Sequence, residues 1–213
     1  MASIRLPKRL FDLLGALAGL IAFSPAMAVI AGAILLEDGW PVLFRQERLG
    51  RRRRPFTILK FRSMRDGRIT RVGRMLRATG LDELPQFINI LRGDMSAVGP
   101  RPLIESDVTR LGWMAPRYDF RWCVLPGLTG LAQVREARSG RLSLGLDRRY
   151  VARQSLSLDL RLVGVSFAIN ALGKRRVRRL LVRLRRARRR GVAAGSPAPA
   201  LRHRASRDRG ARW

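Results

Sequence analysis

A chain of 213 residues has room for one ordinary domain and little more. Its formal net charge of +29, from 44 Lys and Arg against 15 Asp and Glu, calls for polyanionic partners: nucleic acid, anionic lipid headgroups or phosphorylated substrates. One cysteine, Cys123, excludes an internal disulfide, and the only histidine, His203, lies in a polar tail, which disfavours a histidine base or a histidine-held metal.

Residues 1–9 form a basic leader carrying Arg5, Lys8 and Arg9. From Leu13 to Leu36 the chain is uncharged and mostly apolar, long enough at about 1.5 Å per residue to cross a bilayer core. Three readings compete. A signal peptide would be cleaved near Ala26-Met27-Ala28, but would leave apolar Val29–Leu36 as a new terminus. A spanning helix would place its flanks on opposite sides, yet both flanks are basic, with Arg45, Arg48 and Arg51–Arg54 following the run. A re-entrant helix suits symmetric basic flanks, and Ser24-Pro25 supplies a break, because proline removes a donor and serine can satisfy the freed carbonyl. Asp12 is expected at the interface, capping the helix start, with Glu37-Asp38-Gly39 as the exit turn and Trp40 at headgroup level. Val42–Gln46 and Phe56–Phe61 read as a strand pair around a basic turn. Arg51–Arg54 are either a solvated turn or a lipid contact, each cation contributing about 1 kcal/mol near anionic lipid. Lys60 and Arg62 alternate onto one side of the second strand.

Next, RITRVGRMLRATG places Arg71, Arg74 and Arg77 three apart on one helical face, with Val72, Met75 and Leu76 turned away. The stripe leads to adjacent carboxylates, Asp82 and Glu83, and Asp82 sits where a helix N-cap belongs, ahead of Leu84, Phe87, Ile88 and Leu91 at helical spacing. A cap, a first-turn acid and a solvated basic face are the structural reading; a nucleophile meeting a phosphate at a helix N-terminus is the functional one. Gly93 reads as a helix stop and Asp94 as a local hydrogen-bond partner. Pro100-Arg101-Pro102 presents an arginine on a stiff backbone, suited to bidentate phosphate contact.

Beyond it, Glu105–Leu111 reads as a polar helix, and Trp113, Tyr118, Phe120 and Trp122 are either core or interface anchors. Pro126-Gly127 signals a turn, and Asp147–Gln154 and Ser157–Leu172 read as two helices. After Lys174, Val177, Leu180, Leu181 and Leu184 recur among arginines as in a helix lying on a membrane, and 191–213 has the composition of a disordered tail. Nothing reads as a phosphate-binding glycine loop or a dinucleotide fingerprint.

The string LDELPQFINILRGDMSAVGPRP (Leu81–Pro102), with RQERLG (Arg45–Gly50), KFRSM (Lys60–Met64) and LPGLTG (Leu125–Gly130), resembles the signature of the bacterial sugar transferases, the monotopic polyprenol-phosphate phosphoglycosyl transferases. The resemblance runs from about Lys8 to about Asn170. It implies transfer of a sugar-1-phosphate from a UDP-sugar to undecaprenyl phosphate at the cytoplasmic face of the bacterial inner membrane, initiating polysaccharide or glycoconjugate synthesis. Asp82 would attack the phosphorus, and Glu83 would ligate Mg2+ beside it. Arg77 and Arg101, with Lys60 and Arg74 behind them, would contact phosphate; Gln46 and Arg48 default to a structural role. The implied fold is α+β and mainly helical, in a monotopic membrane protein with a broken re-entrant N-terminal helix at Ser24 and Pro25, a small strand pair and interfacial amphipathic helices. The expected divisions are leader 1–9, re-entrant helix 10–36, catalytic domain 37–172, basic amphipathic extension 173–190 and tail 191–213. Anionic lipid is an expected partner, nucleic acid is not, and a homodimer is compatible with the reading. The chain departs from the family pattern at Val134–Arg138, where an asparagine-glycine-arginine type element is usual, which bears on sugar or nucleotide specificity. No sign of the amino-terminal transmembrane bundle of larger relatives is present, so a minimal stand-alone catalytic unit is expected. A basic nucleic-acid-binding protein would leave Leu13–Leu36 unused, and a non-enzymatic membrane anchor would make Asp82-Glu83 incidental.

Overall fold

The computed structural model describes residues 6–173 together with 176, 177 and 179. The chain divides into two units, Met1–Gly173 and Lys174–Trp213, and the first holds all the named helices and strands. The expected amphipathic extension and tail, and the first five residues of the leader, lie outside the described residues.

Helix α1 (Leu6–Asp38) is 33 residues long and apolar enough to cross a membrane by length and composition. It carries two stripes at helical spacing. One faces the protein: Asp12, Ala16, Ile30, Ile34 and Asp38 are buried, Gly19 rests against the Phe87 ring, and Phe23 and Met27 pack against the core. The other is exposed and apolar, with Leu6, Leu10, Leu14, Leu17, Ile21, Val29 and Leu36. Pro25 lies inside the helix. The Ser24 hydroxyl donates to Ile21 O at 2.8 Å, the carbonyl that the missing Pro25 N–H would have satisfied.

Strands β1 (Leu43–Leu49) and β2 (Pro55–Phe61) form an antiparallel hairpin in the register Leu43↔Phe61 to Leu49↔Pro55, joined by a 3-10 turn at Arg51–Arg53. A tiny hairpin, β3 (Met64–Arg65) with β4 (Arg68–Ile69), leads into α2 (Arg71–Thr79). Thr70 caps α2, and both Glu37 carboxylate oxygens accept from its first amides, Arg71 N at 2.7 Å and Val72 N at 2.8 Å. Met75, expected inward, is about half exposed; Gly73 and Leu76 form the buried side. Helix α3 (Gln86–Arg92) then lies against the free edge of β2: Asn89 accepts from Leu59 N and donates to Thr57 O and to Asp94, so one amide side chain substitutes for a neighbouring strand. Gly93 ends α3 in the left-handed conformation, as its position predicts.

Strand β5 (Ser96–Val98) leads to the Pro-Arg-Pro loop and α4 (Glu105–Arg110). Strand β6 (Gly127–Thr129) pairs with β5 in parallel, and short α5 (Leu131–Val134), α6 (Gly140–Ala152) and α7 (Leu156–Leu172) complete the unit. The fold is thus mostly helical with three two-stranded sheets. Trp113 and Trp122 resolve as core, packed with Leu49 and Val108.

Asp12 requires a correction. It lies in the second turn of α1, is 1 % exposed, and accepts from the Ser96 hydroxyl and Ala97 N, both at 3.0 Å, tying α1 to β5 instead of capping its own helix. Lys8 sits one turn earlier and donates to Asp159 of α7 at 2.6 Å, while the Tyr150 hydroxyl bonds to Asp159 and to Val98 O. Four elements therefore meet in one buried polar knot. The Asp159 carboxylate and burial itself push the Tyr150 hydroxyl far above its ordinary range, burial being the larger cause, so it stays a donor.

Candidate active site

Gly80 ends α2 with φ of 74°, and Leu81-Asp82-Glu83 then closes as a 3-10 turn, with Glu83 N bonded to Gly80 O and Leu84 N to Leu81 O. This corrects the expectation for Asp82: it is not the N-cap of a helix, because α3 begins at Gln86 with Pro85 before it, and the left-handed glycine has already turned the chain. No helix N-terminus is therefore shared between the carboxylate and a phosphate. What the turn does is present two adjacent carboxylates at the end of β2.

There Lys60 donates to Glu83 Oε1 at 2.8 Å. Lys60, expected to touch phosphate, is thus the counter-ion of the dyad's second acid. Burial, then the neighbouring Glu83 carboxylate, push the Asp82 carboxyl above its ordinary value; Lys60 and, less strongly, Arg77 pull it back. Arg77 is held in place by Ser63 Oγ at 2.9 Å and Met64 Sδ at 3.0 Å. Arg74 stands exposed one turn away and joins none of the ion pairs among the described residues. Arg62, just past the end of the strand that carries Lys60, pairs with Asp38 instead, at 2.9 Å. Ser24 and Pro25, where a break was expected, lie in unbroken helix and follow Phe23, which stacks on Phe87 of α3 with ring centroids 6.5 Å apart, beside the segment that follows the dyad.

Arg101 comes from another direction. The Pro100 carbonyl accepts from Gly127 N, and Gly99 N donates to Thr129 O, both at 2.9 Å. The backbones approach so closely that a Cβ on Gly127 would lie 2.0 Å from Gly99 N. Underneath, buried Arg121 donates to Asp147 at 2.9 Å and to the Arg101 carbonyl, with its guanidinium over the Trp113 and Trp122 rings. Burial pushes the Asp147 carboxyl up and the Arg121 guanidinium down, each partly restored by the other.

These elements enclose a narrow cleft lined by Arg48, Lys60, Glu83, Gln86, Arg101 and Gln133. The structure thus brings together Lys60, Glu83 and Arg101 as expected, and adds Arg48, whose guanidinium contacts Gln46 and the Pro102 carbonyl. Burial, and then the Arg101 guanidinium, press that of Arg48 below its ordinary value. Two guanidiniums and an ammonium thus converge beside Glu83, the one acid of the dyad that lines the cleft, and such groups can bond phosphate oxygens. Arg48 escaped the sequence reading because its motif gives no chemistry by itself; only the fold sets it opposite Arg101. A larger hollow of about 410 Å³ lies at the hairpin turn, lined by Arg51, Arg52, Arg54, Phe56, Asp94 and Leu125, and contains neither acid of the dyad. No cluster of three metal-ligating side chains occurs among the described residues.

A family description for bacterial sugar transferases matches residues 3–171. A UDP-glucose:undecaprenyl-phosphate glucose-1-phosphate transferase of Caulobacter vibrioides is 42% identical over 182 residues, covering 76% of this chain and 68% of the relative. A UDP-N-acetylgalactosamine-undecaprenyl-phosphate N-acetylgalactosaminephosphotransferase of Aeromonas hydrophila is 41% identical over 175 residues, 73% of this chain but 41% of the relative. The exopolysaccharide production protein PSS of Rhizobium leguminosarum bv. phaseoli is 37% identical over 183 residues, covering 73% of this chain and 90% of its own length.

Proposed function

The chain belongs to the bacterial sugar transferase family, and we propose that it transfers a sugar-1-phosphate from a UDP-sugar to undecaprenyl phosphate, the first step of polysaccharide or glycoconjugate assembly. The observation that carries this reading is Glu83 sharing one cleft with Lys60, Arg48 and Arg101, with Asp82 adjacent to it in the chain and within the field of Lys60 and Arg77.

In this mechanism an Asp82 carboxylate oxygen attacks the sugar-linked phosphorus, the phosphoanhydride bond breaks, and uridine monophosphate leaves with the bridging oxygen. The aspartyl phosphosugar is then attacked at the same phosphorus by an oxygen of the lipid phosphate, which breaks the acyl phosphate bond and restores the carboxylate. Splitting the displacement in two predicts ping-pong kinetics. Asp82 is suited to the first step: burial and Glu83 make its carboxylate more basic than a solvated one, hence a better nucleophile once deprotonated. Arg48 and Arg101 hold the diphosphate oxygens and balance the charge that builds as the bond breaks.

Two vicinal carboxylates fit a hard divalent cation that takes one or two protein ligands and fills the rest of its shell with water and substrate phosphate. Glu83 would be the ligand, with Asp82 kept free for attack. Bound there, Mg2+ supplies charge neutralisation at the diphosphate. Lys60 would then be displaced toward the phosphates, which restores the contact expected of it. Anionic lipid is the proposed partner of Arg52 and Arg54 at the rim of the 410 Å³ hollow.

What supports a monotopic seating is the packing of α1. The protein covers one face of the helix from Asp12 to Asp38, about 39 Å at 1.5 Å per residue, which leaves no free stretch of about 20 residues to cross a bilayer. The exposed stripe beginning at Leu6 is left to meet lipid. With both basic flanks on one side, the catalytic face is cytoplasmic.

The test is release of uridine monophosphate from UDP-sugars by detergent-solubilised protein with Mg2+ and undecaprenyl phosphate, native against Asp82→Asn. Monophosphate release lost in the variant supports the reading. Release of diphosphate, or equal activity in the variant, overturns it.

A further inference from the structure

Four buried side-chain atoms of residues that line the Glu83 cleft lack a hydrogen-bond partner among the described residues: Arg48 Nε, Gln86 Nε2, and both Nε2 and Oε1 of Gln133. Outside the cleft the same condition is partly relieved by charge, as where Asp38 Oδ2 and Arg62 Nε face each other in one ion pair at 2.9 Å. Gln86 is 2 % exposed. Each such atom costs the fold about 1–3 kcal/mol while unmatched, so a cluster of them points to a ligand whose polar groups complete the bonds.

The cations of the cleft are accounted for by phosphate; the amides are not. A glutamine amide carries no charge and offers two donors and an acceptor, which matches hydroxyl and acetamido groups instead of an anion. Position selects among the neutral parts of the donor. The amides share the cleft with Glu83, the neighbour of the attacking Asp82, and the hexose is bonded to the attacked phosphorus through its anomeric oxygen, whereas the nucleoside stands beyond a second phosphate. Gln133 is also placed by the fold: a Cβ on Gly130 would come 2.5 Å from its Oε1 and 2.1 Å from Gly99 O. Resting on the proposed transfer reaction, we infer that Gln86 and Gln133 bind the hexose of the donor and set which sugar is accepted. The free space between the side chains is about 10 Å³, room for one water and not for a hexose, so sugar binding requires these side chains to part, and a bridging water is the competing occupant of the closed cleft.

The experiment uses the full chain in detergent with Mg2+ and the variants Gln86→Met and Gln133→Met, which keep length and remove the amide. Three quantities are read: KM and kcat for UDP-glucose, UDP-galactose and their N-acetyl counterparts, inhibition by uridine monophosphate, and melting temperature. Hexose binding predicts that each variant raises KM for the preferred donor by about tenfold, the worth of one such hydrogen bond. The preference among the four donors narrows, inhibition by the monophosphate stays within about twofold, and the melting temperature holds or rises because an apolar side chain ends the unmet demand. Weaker inhibition in step with KM would assign the amides to the nucleotide and overturn the inference. A lowered melting temperature with donor preference intact would assign them to a structural water, and unchanged kinetics would leave them without a role; either overturns it. If the native chain turned over no donor, the transfer reading would fall, and the rise in melting temperature induced by each UDP-sugar, compared between native chain and variants, would still decide the amide assignment.

Discussion

Asp147→Asn isolates how Arg101 is held. The substitution keeps shape and removes one charge, leaving Arg121 buried with its guanidinium uncompensated; the two side chains are 3 % and 2 % exposed and 2.9 Å apart. Removing one partner of a buried pair costs about 3–5 kcal/mol, a large share of a total stability of about 5–15 kcal/mol. For a domain of this size each kcal/mol moves the melting temperature by about 2–4 °C, so a fall of about 6–20 °C is expected in thermal unfolding of the detergent-solubilised protein. The double variant Arg121→Met, Asp147→Leu separates stability from function. Burial pushes both groups toward their neutral forms, so an apolar pair of similar volume should recover most of the lost stability. It cannot donate to the Arg101 carbonyl, and donor KM should stay raised. An Asp147→Asn protein melting within about 3 °C of native, or a double variant with native KM, would refute the claim that this pair fixes the loop.

Asp82→Asn should lower phosphosugar transfer by at least about 10³-fold in initial-rate assays. In the native chain the rate should climb with pH through a value above the ordinary 3.8, because only the carboxylate attacks. Over that same window the folded state binds more protons than the unfolded one, so native stability falls as pH rises, and the slope should become shallower in the variant, with the raised Asp147 carboxyl still contributing in the same direction. Chelation with EDTA should stop transfer and added Mg2+ restore it, with Glu83→Gln needing a higher Mg2+ concentration for half-maximal rate. Gly73→Ala should destabilise by about 1–3 kcal/mol in thermal unfolding: its Cβ would lie 2.1 Å from the Ser63 carbonyl oxygen, and α2 would have to lift from the residue that holds Arg77.

The acids and the clamped arginine were legible as candidates because the pattern is local: adjacent Asp82 and Glu83, and an arginine between two prolines, stand out within a few residues. The hairpin and the Gly93 helix stop were legible for the same reason, although β1 extends to Leu49 where the pattern stopped at Gln46. The helix expected to start at Asp82 failed because Gly80 and Pro85 together favour a separate 3-10 turn, a competition that hydrophobic spacing does not register. Asp12 read as a cap at the start of its own helix and Asp147 only as the first residue of another, and neither Arg121 nor a partner for Asp159 was singled out; their partners lie 26 to 151 residues away, so only topology could pair them. The single local signal was a charge set inside an otherwise apolar run. Gln86 and Gln133 gave no signal, since an amide is ordinary on a surface and becomes informative only when buried without a partner.

The same burial of charge explains how a helix apolar enough for a membrane stays joined to a catalytic unit. Apolar packing alone could not hold it, because lipid tails satisfy leucine and isoleucine as well as a protein core does. The stripe of α1 that faces the protein therefore ends in carboxylates: Asp12 bonds β5 at one end, and Asp38 pairs with Arg62 and Arg65 at the other. Neither could turn toward lipid without stranding a charge, so α1 has one rotational setting, with Leu10, Leu14, Leu17 and Ile21 outward. Phe23 then contacts Phe87, one turn beyond Glu83, and under the proposed seating the orientation of the helix in the membrane becomes the orientation of the dyad toward a lipid-borne phosphate.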